Sequence, residues 1–190
     1  MKRRIGFMAL AIALMTVLAG CASFKQDILS TADIAIVNAE GKTIVSYGMD
    51  RAQVEKTLGV GTEDSDMKWV MYEDIQASIW YRDNKVVGYI FADPDLASAR
   101  GLKVGMPAAA IRKLYGSDTF TKVKNEISEG TATYFYCYDT RLQQPVYVST
   151  TKPLPTESLK KYITVSILLD EDSNVKSISC VDGLMSFYLQ

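Results

Sequence analysis

The chain has 190 residues, enough for one ordinary domain or two very small ones. It is 48% hydrophobic and 23% charged, a globular balance rather than a disordered or fibrous one. The net charge of −1 advertises no nucleic-acid surface, and the absence of histidine removes the commonest general base and metal ligand.

Lys2, Arg3 and Arg4 precede an apolar run from Ile5 to Val17. That run has the length of a signal-peptide core and is too short to cross a bilayer. It ends in Leu18-Ala19-Gly20-Cys21, which resembles the bacterial lipobox. The resemblance implies cleavage after residue 20, lipidation at Cys21 and a membrane anchor of several acyl chains. Cleavage would leave 18 basic against 22 acidic residues, a net charge of −4. Ala22 and Ser23 follow the cysteine, with no aspartate at the second position, so the outer membrane is the expected site in a two-membrane cell. Residues 21–33 read as a short tether.

A twelve-residue pattern then occurs twice, as GMDRAQVEKTLG from Gly48 to Gly59 and as GMPAAAIRKLYG from Gly105 to Gly116. In the first copy Asp50 and Gln53 have capping-box spacing, Val54 and Leu58 share a face, and Gly59 supplies the stop. In the second, Pro107 is expected to open the helix, Ile111 and Tyr115 form the stripe, and Gly116 closes it.

Strand-like segments follow each copy. After the first come 67–73, 77–83 and 85–93, with a tight turn at Asp83-Asn84. After the second come 131–139, 162–170 and 174–182. The lead-in 34–49 reads as a hairpin or a bent strand with a turn at Glu40-Gly41, and 101–106 as its shorter counterpart. Prolines 145, 153 and 155 mark an inserted loop at about 140–161, with one or two helical turns at 155–161. The expected fold class is α+β, with two tandem repeats at 34–96 and 97–190. Each is a short helical segment packed on its own antiparallel β-meander.

The Gly-Met-x-x-x-x-Val/Ile-x-Lys-x-Leu/Tyr-Gly motif and the aromatic strands resemble the BamE (SmpA/OmlA) domain and the tandem fold of the β-lactamase inhibitor protein. The resemblance spans about 34–182. The lipobox is closer to BamE, the doubling closer to the inhibitor. No partner-binding residue carries over, because no such motif is matched.

Candidate chemistry is sparse. Cys137 and Cys180 are assigned to the first and third strands of one meander, roughly 9.6 Å apart, beyond disulfide reach. Two buried free thiols are predicted. Asp170-x-Asp172-x-Asn174 opens like a calcium loop, but Val175 and Val181 occupy the glycine and glutamate positions, so a hairpin turn is expected and no metal. The acidic run 61–66 reads as a loop. Tyr134, Tyr136 and Tyr138 alternate with Phe135 and Cys137. With Phe135 and Cys137 toward the helix, the three tyrosines and their counterpart Tyr72 would line an open face and form a partner-binding surface.

The expected function is a lipid-anchored, non-enzymatic cell-envelope protein. It would act as a protein–protein interaction module in envelope or outer-membrane assembly or maintenance, without cofactor. The alternative is an inhibitor-like or ligand-sensing lipoprotein that closes its sheet face over one extracytoplasmic enzyme or small ligand.

Overall fold

The computed structural model describes residues 24–66, 69–116, 121–124, 132–146 and 156–188. A 3-10 turn at Thr31–Asp33 leads into β1 (Ala35–Val37) and β2 (Thr43–Ser46), which turn at Gly41. Next come α1 (Arg51–Leu58), β3 (Thr62–Asp64), β4 (Trp69–Tyr72), β5 (Ala77–Arg82), β6 (Lys85–Phe91) and β7 (Ala97–Ser98). The rest are α2 (Ala109–Tyr115), β8 (Thr121–Lys124), β9 (Ala132–Asp139), β10 (Gln144–Pro145), α3 (Thr156–Leu159), β11 (Tyr162–Leu169), β12 (Val175–Asp182) and α4 (Gly183–Tyr188).

The local reading of α1 matches its geometry. Gln53 Oε1 accepts from the Asp50 amide at 3.2 Å, and Gly59 ends the helix at φ +83°. Asp83 and Asn84 both take positive φ, as a tight hairpin turn between twisted strands requires. Pro107 departs from expectation. It lies two residues ahead of α2 and forms a bridge to Asn174 instead of opening the helix.

The fold class must be corrected. There are not two repeats with a meander each. Nine strands form one antiparallel sheet in the order β10-β9-β11-β12-β6-β5-β4-β3, with β8 also paired to β9. The seam is β6 against β12, in register Phe91 to Ile178 and Tyr89 to Cys180. Two separate meanders would each have left a long apolar edge strand, and pairing the edges satisfies both rows of backbone groups. A second small sheet, β2-β1-β7, joins residues 36–37 to residues 97–98. Residues 101–106, expected to be a strand like 34–49, contribute only a bridge from Lys103 to Ala97.

The duplicated motif nonetheless has one local task in both places. The Gly48 amide donates to Val86 and the Val86 amide to Met49, at 2.9 and 3.0 Å. Gly105, Val175 and Met106 repeat this arrangement at 2.8 Å each. Each Gly-Met pair thus pins a helix start to the first residues of the last strand in its half.

One core lies between the large sheet and a layer made by α1, α2 and the small sheet. It joins Val54, Ile111 and Tyr115 to Ile79, Tyr89, Val165 and Ile178. The opposite face of the sheet carries only a small cluster, Trp80, Val87, Val181 and Met185, where α4 folds across its end.

Candidate functional site

Register decides which face each side chain occupies. Tyr134, Tyr136 and Tyr138 stand opposite Ile167, Val165 and Ile163 of β11, the fully aliphatic set of that strand. They therefore face the core. Their exposures are 7%, 1% and 0%, and that of Tyr72 is 3%. The sequence-based partner surface of Tyr72, Tyr134, Tyr136 and Tyr138 is corrected on this point: the face assignment is inverted. Burial is tolerated where hydroxyls find partners, as Tyr136 does with the Asp27 carbonyl at 3.0 Å and Tyr72 with the Tyr81 hydroxyl at 2.8 Å. Tyr138 Oη and Trp69 Nε1 are buried and meet no partner among the described residues.

The other face carries two uncharged rows. Met71, Ser78, Ile90, Ser179 and Ser166 run across five strands in a single hydrogen-bonded row. The adjoining row is Trp69, Trp80, Gly88, Val181, Thr164 and Cys137. Neither row contains a charge. Met71 is 36% exposed, and Ile90, Ser166 and Ser179 are half-buried, whereas Ser78, Trp80, Val181, Thr164 and Cys137 are buried. What reaches solvent is a narrow strip of short hydroxyls and aliphatic groups whose backbone is already paired. The serine–aliphatic alternations in Ala77-Ser78-Ile79, Val165-Ser166-Ile167 and Ile178-Ser179-Cys180 were the available signal for it.

At the β3 end a groove of about 420 Å³ is lined by Arg51, Glu63, Trp69 and Tyr81 among others. Arg51 binds Glu55 at 2.7 Å and Glu63 at 2.6 Å and lies 5.6 Å from the Tyr81 ring centroid. These carboxylates hold its charge above the usual arginine range. Glu63 thus belongs to a strand and an ion pair, not to a loop. Asp170 and Asn174 close the β11–β12 turn through mutual contacts of 2.8 Å. Among the described residues no cluster of three candidate ligands is placed to hold a metal ion.

Cys137 and Cys180 are buried and unbridged. β11 lies between them, and they pair with the consecutive residues Thr164 and Val165, so they occupy opposite faces. Burial pushes both thiols up, Cys180 further than Cys137, and the nearby carboxylates of Asp139 and Asp33 push them the same way, which keeps both in the unreactive thiol form.

A third assembly was not anticipated. Asp33 and Arg100 are both buried and form an ion pair at 2.5 Å. Arg100 also donates to the carbonyls of Lys25, Leu114 and Ile28, and it lies between the rings of Phe24 and Tyr115 at 5.1 and 4.9 Å. Residues 24–33, read as a tether, are thus docked on the fold. A lone arginine in Leu96-Ala97-Ser98-Ala99-Arg100-Gly101-Leu102 was the only hint.

Comparison with known proteins gives no identity. No family model matches the chain, and no curated protein matches it. One similar structure is an extracellular protein containing a SCP domain from Bacillus anthracis str. Ames, 11% identical with a TM-score of 0.45; the match covers 74% of this chain and 45% of that one. Another is a DUF4309 family protein, YjgB, from Bacillus subtilis subsp. subtilis str. 168, 9% identical with a TM-score of 0.43, covering 70% and 78%. The chain spans less than half the length of the first of these. Neither likeness is close enough to carry an argument about fold or function.

Proposed function

We propose that this chain is a lipid-anchored, non-enzymatic envelope protein that binds a protein partner through the solvent-reaching strip of its charge-free sheet face. The observation that carries the reading is the charge-free row Met71, Ser78, Ile90, Ser179 and Ser166 on the face away from the core. Interface centres are depleted of charge, and a paired sheet face presents little that must be desolvated without compensation. The lipobox-like string ending at Cys21 and the likeness of the duplicated motif to BamE domains support the envelope setting.

The test is a photo-crosslinking residue at Ser179 in intact cells, with Lys56 on α1 as the control position. The expected result is a discrete adduct from Ser179 that is absent from Lys56. Equal adducts from both positions, or none from Ser179, would sink the reading. An adduct with outer-membrane assembly components would place the protein in envelope biogenesis. An adduct with one soluble enzyme in fixed ratio would favour the inhibitor-like alternative.

A further inference from the structure

The docked arm has a consequence for how an anchored molecule would stand on its membrane. Phe24 is held against Arg100, and Arg100 is fixed by Asp33 and by the carbonyls of Lys25, Ile28 and Leu114. The arm is held again where the Asp27 amide donates to Tyr115 at 2.9 Å and Gln26 donates to the Lys113 carbonyl at 2.9 Å. Gly116 completes the seat. Its φ of +107° favours glycine, and a Cβ there would meet the Asp27 carboxylate, which would have to turn aside. Cys21 lies three residues before Phe24, and three residues span at most about 11 Å. A free tether of the whole segment 21–33 would have let the body drift and tumble over a far larger volume.

The chain leaves the fold beside the C-terminal end of α2. Exposed Lys25, Arg112 and Lys113 surround that exit. Basic side chains near an anionic leaflet are attracted to it, which offsets the general repulsion expected of an acidic protein. We propose that the surface formed by Lys25, Arg112 and Lys113 lies against the lipid surface, held there by the Arg100-locked arm. The molecule then has one orientation on its membrane. The proposal rests on lipidation of Cys21.

The experiment uses the full lipoprotein reconstituted on the outside of vesicles of phosphatidylethanolamine and phosphatidylglycerol. Lysines are acylated with a reagent that does not cross bilayers, and each site is quantified by mass spectrometry. The same peptide maps report the acyl chains on Cys21. Lys56, on α1 beside β3 and β4, is the distant reference. Lys25 and Lys113 are expected to react several-fold more slowly than Lys56. That protection should vanish in the unanchored Cys21→Ser protein, and also when a long Gly-Ser spacer is inserted after Ser23. The spacer variant leaves the fold and the acylation untouched, so it isolates the short reach. An acylated protein with equal labelling of all three lysines overturns the orientation while the anchor stands. Protection that survives the spacer overturns the role of the arm. A Cys21 without acyl chains overturns the anchor itself, and the orientation with it.

Discussion

Tyr136 and Tyr138 sit two positions apart on β9 and should respond oppositely to loss of the hydroxyl. The Tyr136 hydroxyl donates to Asp27, so Tyr136→Phe leaves that carbonyl short of a donor and costs about 1 kcal/mol. The Tyr138 hydroxyl is buried and meets no partner among the described residues, so Tyr138→Phe removes an uncompensated desolvation penalty and stabilises by about 1 kcal/mol. Urea midpoints of the two variants should shift in opposite directions, and a shift of the same sign would refute the assignment. Tyr136→Ser differs in kind, since truncating a fully buried aromatic costs about 3–5 kcal/mol. The thiols set the alkaline limit. An unfolded chain releases thiol protons near pH 8.5, whereas burial makes folded Cys137 and Cys180 hold theirs to higher pH. Above about pH 8.5 the native state therefore binds more protons than the unfolded state, and stability falls as pH rises. Buried Tyr89 and Tyr115 steepen the fall above about pH 10, because burial raises them as well. Urea unfolding from pH 7 to 10 should show a level region followed by a decline. Stability rising with alkalinity would contradict the burial of these groups.

The seam between β6 and β12 is the element that joins the two halves. Gly88 stands opposite Val181 there, and a Cβ on Gly88 would meet Val181 Cα at 2.9 Å and its side chain closer. Gly88→Ala should cost about 1–3 kcal/mol by overpacking the seam. Pairing it with Val181→Ala should recover part of that loss, because the clash is with one neighbour and the two changes are not independent. Additive losses in the double variant would mean that the seam is not as close as described. Much of this level was legible in the sequence. Capping spacing at Asp50 and Gln53, the stops at Gly59 and Gly116, and strand alternation each act over a few residues, and α1, β5, β6, β11 and β12 lie within the expected segments. The seam was not legible, because nothing local in Gly88 or Val181 names a partner some ninety residues away. The tyrosine face was misread for a related reason. Alternation separates two faces but does not say which is inside; that followed only once β11 placed Ile163, Val165 and Ile167 opposite the tyrosines.

Across the whole molecule, long-range ties cross from one half to the other, among them the β6–β12 seam, the β1–β7 pairing and the Asp33–Arg100 and Arg82–Asp182 ion pairs. Each half lacks what the other supplies. Residues up to 96 would leave one edge of β6 unpaired and Asp33 without its arginine. Residues from 97 onward would leave one edge of β12 unpaired and Arg100 without its carboxylate, and breaking a buried pair costs about 3–5 kcal/mol. This size of penalty is comparable with the stability of a whole small domain. The ion pair itself could not be read from sequence, because its two residues are isolated charges 67 positions apart with no motif around them. The expected behaviour is one cooperative transition rather than two. Both tryptophans, Trp69 and Trp80, lie in the first half, on β4 and β5, and belong to the cluster that includes Val181 and Met185, so their fluorescence reports that half and its packing against the second. Far-ultraviolet circular dichroism reports the strands of both. In urea the two signals should trace one curve with one midpoint. Arg100→Met should move both together, since the lost pair belongs to the shared core. A fluorescence transition that separates from the dichroism transition, in the parent or in Arg100→Met, would mean that the halves fold independently and that the seam is a contact between two domains, not the middle of one sheet.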